Sequence, residues 1–124
     1  MKTIFCDIDG TLLFHHGRGL SGQFTYQAQI LPGVIDKLNE WQASGFTIVL
    51  TTGRRESQRL QTEQQLKELG IFWDHMVMGL PNGERIVIND LKTGKKLHHL
   101  SDKKNRTARA ICLERNSGVV GVEI

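Results

Sequence analysis

Asp7 and Asp9, separated by one residue, follow the apolar run Ile4-Phe5-Cys6 and precede Gly10 and Thr11. In an extended chain residues i and i+2 share a face, so the two carboxylates project together with Ile8 opposed. A strand that ends here, with Gly10 turning the backbone, carries two acids to the edge of a sheet, where open α/β folds bind their ligands. That pairing suits a hard divalent cation and phosphate chemistry. A carboxylate attacks phosphorus to give an acyl phosphate when a metal and positive groups neutralise the phosphoryl oxygens, so one acid serves as nucleophile and another as proton donor. A third acid must help to hold the ion. Mg2+ keeps several waters and needs only a few protein oxygens beside substrate phosphate, and Asp7, the Asp9 backbone carbonyl and Asp90 are the candidates. The plainer alternative is an acidic turn without chemistry.

A second polar cluster follows a second apolar run. Residues 46–50 (Phe-Thr-Ile-Val-Leu) lead directly into Thr51-Thr52-Gly53-Arg54, and residues 85–88 (Arg-Ile-Val-Ile) lead into Asn89-Asp90. Three strand ends therefore carry hydroxyls, carboxylates or a guanidinium, and their coincidence points to one site. Each has a structural alternative: Thr51 and Thr52 as caps of the next helix, Arg54 as a partner of Glu56, Asp90 as a turn residue.

The elements that must position these groups alternate along the chain. Residues 2–6 are β-rich and almost wholly apolar, as expected of a central strand covered on both faces. Residues 14–30 carry three glycines with His15, His16 and Arg18 and no sustained period, which reads as a mobile loop or short hairpin, too small for a cap domain. Pro32 opens a helix whose Val34, Ile35, Leu38 and Trp41 share a face and which Gly45 stops. Residues 56–69 are helix formers with Glu63 and Lys67 spaced for an ion pair, ended by Gly70. Residues 75–78 read as a third strand and 85–88 as a fourth, after the turn Pro81-Asn82-Gly83. In the tail, 95–100 and 107–113 read as strands about a Ser101-Asp102 turn, with a helix as the alternative for the second. The order implies an α/β domain over 1–124 built on a mainly parallel sheet flanked by helices.

The order DxDGT, strand-TTGR, then a basic residue before strand-ND resembles the motif set of haloacid dehalogenase (HAD) superfamily phosphatases. Residues 31–57, the MGLP and RIVINDLK segments and the closing ICLERNSG are similar to small, capless members found in bacterial polysaccharide-biosynthesis settings. The resemblance implies a Rossmann-like fold with minimal or no cap and a Mg2+-dependent phosphomonoesterase acting on a small phosphorylated metabolite such as a sugar phosphate. It makes Asp7 the nucleophile and a metal ligand. Asp9 becomes the acid that protonates the leaving oxygen and then activates water. Thr51 would hydrogen-bond the phosphoryl group beside the Thr52 and Gly53 amides, with Arg54 contacting substrate or supporting the site, and Asp90 would ligate the metal with Asp7 and Asp9. The lysine usual in the third motif is replaced by Arg85 at the best-placed position, with Lys67 and Lys92 as alternatives. Asn89 stands where a second acid is common, so it or a water completes the metal shell. Without a cap, specificity falls to the 14–30 flap, where His15, His16 and Arg18 would touch substrate, or to a second subunit covering the site.

Composition narrows the classes. At 124 residues, 39% hydrophobic and 23% charged, the chain has the make-up of one globular domain and not of a disordered or fibrous one. The first apolar stretch is broken by Asp7 and Asp9, so neither a signal peptide nor a membrane span is expected, and a cytoplasmic protein is. Cys6 and Cys112 lack metal or redox spacing and read as buried free thiols. The net charge of +3 is modest, but basic residues crowd into 92–115. A solvated face is the simpler reading, because no aromatic residues interleave to stack bases; a nucleic-acid end-processing phosphatase is the enzymatic alternative. A module that senses a phosphorylated ligand without turnover is the non-enzymatic one, prompted by the reduced acid count around Asp90.

Overall fold

In the computed structural model of the chain the described residues are 1–17, 22–24, 26–92 and 106–124. They form two compact units, Met1–Asn82 with Leu113–Ile124, and Gly83–Cys112.

The first unit runs β1 (Thr3–Asp7), α1 (Val34–Ala43), β2 (Thr47–Thr51), a 3-10 turn (Glu56–Gln58) continuing into α2 (Arg59–Glu68), and β3 (His75–Val77). The three strands are parallel in the order β1-β2-β3. This is the expected α/β architecture, a parallel sheet with helical crossovers. β2 is central, and its Ile48 and Leu50 are fully buried. β1 was expected to be covered on both faces; among the described residues it lies at an edge and only alternate side chains are covered. Cys6 is buried, whereas Phe5 is 63% exposed. Successive side chains of a strand point to opposite faces, so the burial here alternates with the face each residue presents.

Val34, Leu38 and Trp41 recur at helical spacing and seat α1 on the core. Each such side chain, fully buried, contributes roughly 1.5–3 kcal/mol. The helix starts after Gly33 (φ 78°), where an added Cβ would lie 2.9 Å from the Val120 backbone, so neither the dihedral nor the space admits another residue. α2 buries only Thr62 and Leu66. Its Glu63 pairs with Arg59 at 3.6 Å rather than with the expected Lys67, and Arg59 also pairs with Glu56 at 2.6 Å.

The tail segment 113–124 returns to this unit. Val119 and Val122 enter the core, and the Val119 amide donates to the Pro32 carbonyl at 2.9 Å. Residues 107–113 form neither the strand nor the helix expected, and the Glu114 carbonyl closes a turn by accepting from the Ser117 amide at 3.1 Å.

In the second unit the fourth strand expected at 85–88 is not formed. Ile86 is 75% and Ile88 92% exposed, and an isolated antiparallel bridge joins Leu91 to Arg106. β-propensity expresses fit to a pleated, half-buried surface, and without a ladder it gives no strand. The expectations for 95–100 and for the 101–102 turn lie outside the described residues. Cys112 is exposed, contrary to the burial expected for it, because its segment joins no sheet; Cys6 is buried. Among the described residues no helix is long and apolar enough to cross a membrane.

Candidate active site

Asp7 ends β1 and Thr51 ends β2, and the parallel register sets them directly opposite each other. Aligned residues of parallel neighbours face the same side, about 4.8 Å apart across the sheet. Asp7 is exposed, and the Thr11 hydroxyl lies 3.5 Å from its Oδ2. Thr51 is half-buried, and its hydroxyl has no partner among the described residues.

The loop after β1 closes on itself. The Thr11, Leu12 and Leu13 amides all donate to the Ile8 carbonyl, and the Gly10 amide donates to the Leu13 carbonyl at 2.7 Å. Gly10 takes φ 94°, which a side chain would strain. The Gly10 carbonyl accepts from the Asn116 amide at 2.8 Å, and the Asn116 side-chain oxygen accepts from the His15 amide at 2.7 Å. Asn116 itself sits in the left-handed region (φ 65°), a conformation asparagine adopts more readily than most residues. The turn at Asn116 thereby braces the loop after β1 across a sequence separation of 101 residues.

Asp9 faces a different environment. Arg54 is fully buried and donates through Nε to Asp9 Oδ2 and through Nη2 to Oδ1, both at 2.8 Å. Its Nη1 donates to Gln65 Oε1 at 2.7 Å and to the Thr62 hydroxyl at 3.4 Å, and its guanidinium lies 5.0 Å from the Phe24 ring centroid. Gln23 donates a third hydrogen bond to the Asp9 carboxylate, at Oδ1. Arg54, expected to contact substrate or support the site, is thus fully engaged with the acid and α2.

In the TTGR turn, the Thr52 hydroxyl accepts from the Arg54 amide at 3.0 Å, and the Thr52 amide donates to the Val77 carbonyl at 3.0 Å. Neither threonine caps a helix. Gly53 is exposed, and its amide has no partner among the described residues. A Cβ there would lie 3.1 Å from the Leu80 carbonyl, which explains the glycine. The groups open to an anion are thus the Thr51 hydroxyl and the Gly53 amide.

The donor set suits a hard cation at this loop. The Asp7 carboxylate is exposed, and the Asp9 carbonyl accepts none of the loop's hydrogen bonds among the described residues. No three acidic, histidine or cysteine side chains gather among the described residues, but Mg2+ is held by one or two carboxylates together with water and substrate phosphate. The Asp9 carboxylate is engaged by Arg54 and Gln23, which leaves its carbonyl as the Asp9 group that would face an ion.

Asp90 and Arg85 belong to the second unit. Arg85 is exposed and donates to the Gly83 carbonyl at 3.0 Å; the Asn89 amide donates to the Thr107 hydroxyl at 2.9 Å, and that hydroxyl donates to the Asp90 carbonyl. Of the alternatives to Arg85, Lys67 is exposed in the last turn of α2 and Lys92 is exposed. At the base of the flap Leu13 and Ile30 form an antiparallel bridge and the Phe14 amide donates to the Gln29 carbonyl at 2.9 Å, while residues 22–24 are helical. His16 stacks on Tyr26 with centroids 5.1 Å apart, His15 is tied to Asn116, and Arg18 lies outside the described residues. Gln23, Gln65 and Asn116 went unnoticed in the sequence. Their only signal is polarity within loop and helix stretches, which many solvated residues share.

The sequence matches the haloacid dehalogenase-like hydrolase family over residues 4–122. Two solved structures are similar: a chain of the Pnkp1/Rnl/Hen1 complex, 30% identical with a TM-score of 0.55, and a chain of the Pnkp1/Rnl/Hen1 RNA repair complex, 29% identical with a TM-score of 0.56. Each match covers 68% of this chain but only 30% and 27% of the other, so the present chain spans less than a third of their length. No curated protein matches it.

Proposed function

Because the chain belongs to the haloacid dehalogenase-like hydrolase family, we propose that it is a Mg2+-dependent phosphomonoesterase working through an aspartyl-phosphate at Asp7. The observation that carries this reading is the register that sets Asp7 opposite Thr51, with the Gly53 amide open nearby in sequence. An Asp7 oxygen forms a bond to phosphorus while the ester oxygen departs with its electron pair and takes a proton from Asp9. Water then attacks phosphorus, giving its proton to Asp9, and the phosphorus–Asp7 bond breaks to release phosphate. Thr51 and Gly53 donate to the phosphoryl oxygens, oriented before charge accumulates there. Bound Mg2+ would neutralise phosphoryl charge, held by Asp7 and the Asp9 carbonyl. Arg54 holds Asp9. The roles that resemblance gives to Arg85 (phosphate contact) and Asp90 (metal ligation) form part of this proposal.

The substrate is a small phosphorylated metabolite in the leading reading. A terminal phosphate on a nucleic acid is the second, supported by similarity to chains of an RNA repair complex and by the basic run at 92–115. A panel of sugar phosphates and 5′- and 3′-phosphorylated oligonucleotides, assayed with and without Mg2+, separates them. Turnover of sugar phosphates in Mg2+ and its loss with chelator supports the first. Preference for oligonucleotides, weakening steeply with salt, supports the second. Ligand-induced stabilisation with no turnover of any ester would replace both with a sensing module.

A further inference from the structure

Gln23 is 4% exposed, and every polar group of its side chain is used. Its amide nitrogen donates to Asp9 Oδ1 at 2.5 Å and to the Phe14 carbonyl at 3.0 Å, and its amide oxygen accepts from the His16 amide at 2.9 Å. Its backbone carbonyl accepts from Gln65 Nε2 at 2.9 Å, and the Gln65 oxygen accepts from Arg54. One residue of the flap therefore ties the start of that flap, α2 and the carboxylate of Asp9 together.

The distribution of donors over Asp9 is unequal. Oδ1 receives Arg54 Nη2 and Gln23 Nε2, whereas Oδ2 receives Arg54 Nε alone. A carboxylate oxygen offers about two lone-pair sites, so Oδ1 is filled and Oδ2 retains one. From this asymmetry we infer that Gln23 is a positioning residue that closes Asp9 Oδ1, makes Oδ2 the proton-carrying oxygen, and couples residues 14–16 at the start of the flap to the acid. The inference rests on the phosphatase reading for the role of Asp9, but the latch is a property of the fold and has its own readout.

Two isosteric variants test it. Gln23→Met keeps the bulk and removes all three side-chain hydrogen bonds; Gln23→Glu keeps the bulk and sets an acceptor against the Asp9 carboxylate. Hydrolysis of an alkyl phosphate, whose leaving oxygen needs a proton, should lose about tenfold in kcat in Gln23→Met and more in Gln23→Glu, with KM within about twofold. In kcat/KM, which reports on formation of the aspartyl-phosphate and not on its later hydrolysis, 4-nitrophenyl phosphate, whose leaving group departs unprotonated, should change less than about threefold. Equal losses of kcat/KM on both esters, or a loss confined to KM, overturn the assignment.

Hydrogen exchange at the His16 amide supplies the readout independent of turnover: protection should fall in both Gln23 variants and in Asp9→Asn, which disturbs the far end of the latch. Unchanged protection in Asp9→Asn overturns the coupling even if the enzyme is active. If the wild type hydrolyses no phosphate ester, the phosphatase reading fails and the exchange result alone decides the latch. Should the Gln23 variants not fold, Gln65→Met, which removes the brace on Gln23 and Arg54, should show the same leaving-group bias to a smaller degree; no bias there counts against the inference.

Discussion

Asp7 and Asp9 stand two residues apart on one loop, and the fold treats them oppositely. Asp7 is exposed opposite Thr51, whose hydroxyl has no partner among the described residues, while Asp9 is gripped by a fully buried arginine and a buried glutamine. An exposed carboxylate is accessible to phosphorus and to a cation. A braced one keeps its orientation through two proton transfers, which a freely rotating side chain would not. The difference suits the two acids to the distinct jobs proposed for them without any difference in residue type.

The sharpest way to break the comparison is at its open side. Asp7→Asn should lower kcat by at least about 10³-fold while leaving the denaturation midpoint close to wild type, since an exposed side chain carries little of the fold. Activity at the wild-type rate would remove Asp7 as nucleophile. On the braced side the cost should appear in stability instead. Arg54→Ala leaves Asp9 without its ion partner in a mostly buried site and should cost about 3–5 kcal/mol in chemical denaturation, with catalysis impaired as well. A loss below 1 kcal/mol would mean the network is not what holds the acid. Thr51→Val deletes a hydroxyl open to a phosphoryl oxygen and keeps the shape, so kcat should fall on the order of 10²-fold with little change in stability.

The smallest effect concerns Cys6, next to Asp7 but on the opposite, buried face. Burial, aided by the Asp7 charge, pushes the Cys6 thiol from 9.0 up to about 12. The neutral thiol is therefore favoured in the folded state. Its contribution to stability is complete below pH 9, where the unfolded thiol begins to ionise, and is lost as pH rises towards 12. A thiol reagent at pH 8.5 should label the exposed Cys112 promptly and Cys6 only after denaturation, as mass spectrometry would read.

Legibility in the sequence followed the range of the interaction. α1 was readable because Val34, Leu38 and Trp41 recur within a single helix, and β2 because a short apolar run sits between a glycine and a hydroxyl pair. The position of β1 at an edge and the loss of strand structure at 85–88 were not readable, since apolar content states a capacity for pairing and not which neighbour is present. The site shows the same division. Asp7, Asp9 and Thr51 announced themselves through motif spacing, but the contact of Arg54 with Asp9 spans 45 residues and that of Asn116 with His15 spans 101.

By itself the sequence determined that this is an α/β protein with two acids at the end of one strand and a hydroxyl-glycine turn at the end of another, because strand alternation and turn chemistry are local. Only the tertiary structure decided which acid is open and which is braced. That choice depends on a buried guanidinium and a glutamine amide arriving from distant segments, and hydrogen-bond donors act on a carboxylate only at distances near 3 Å.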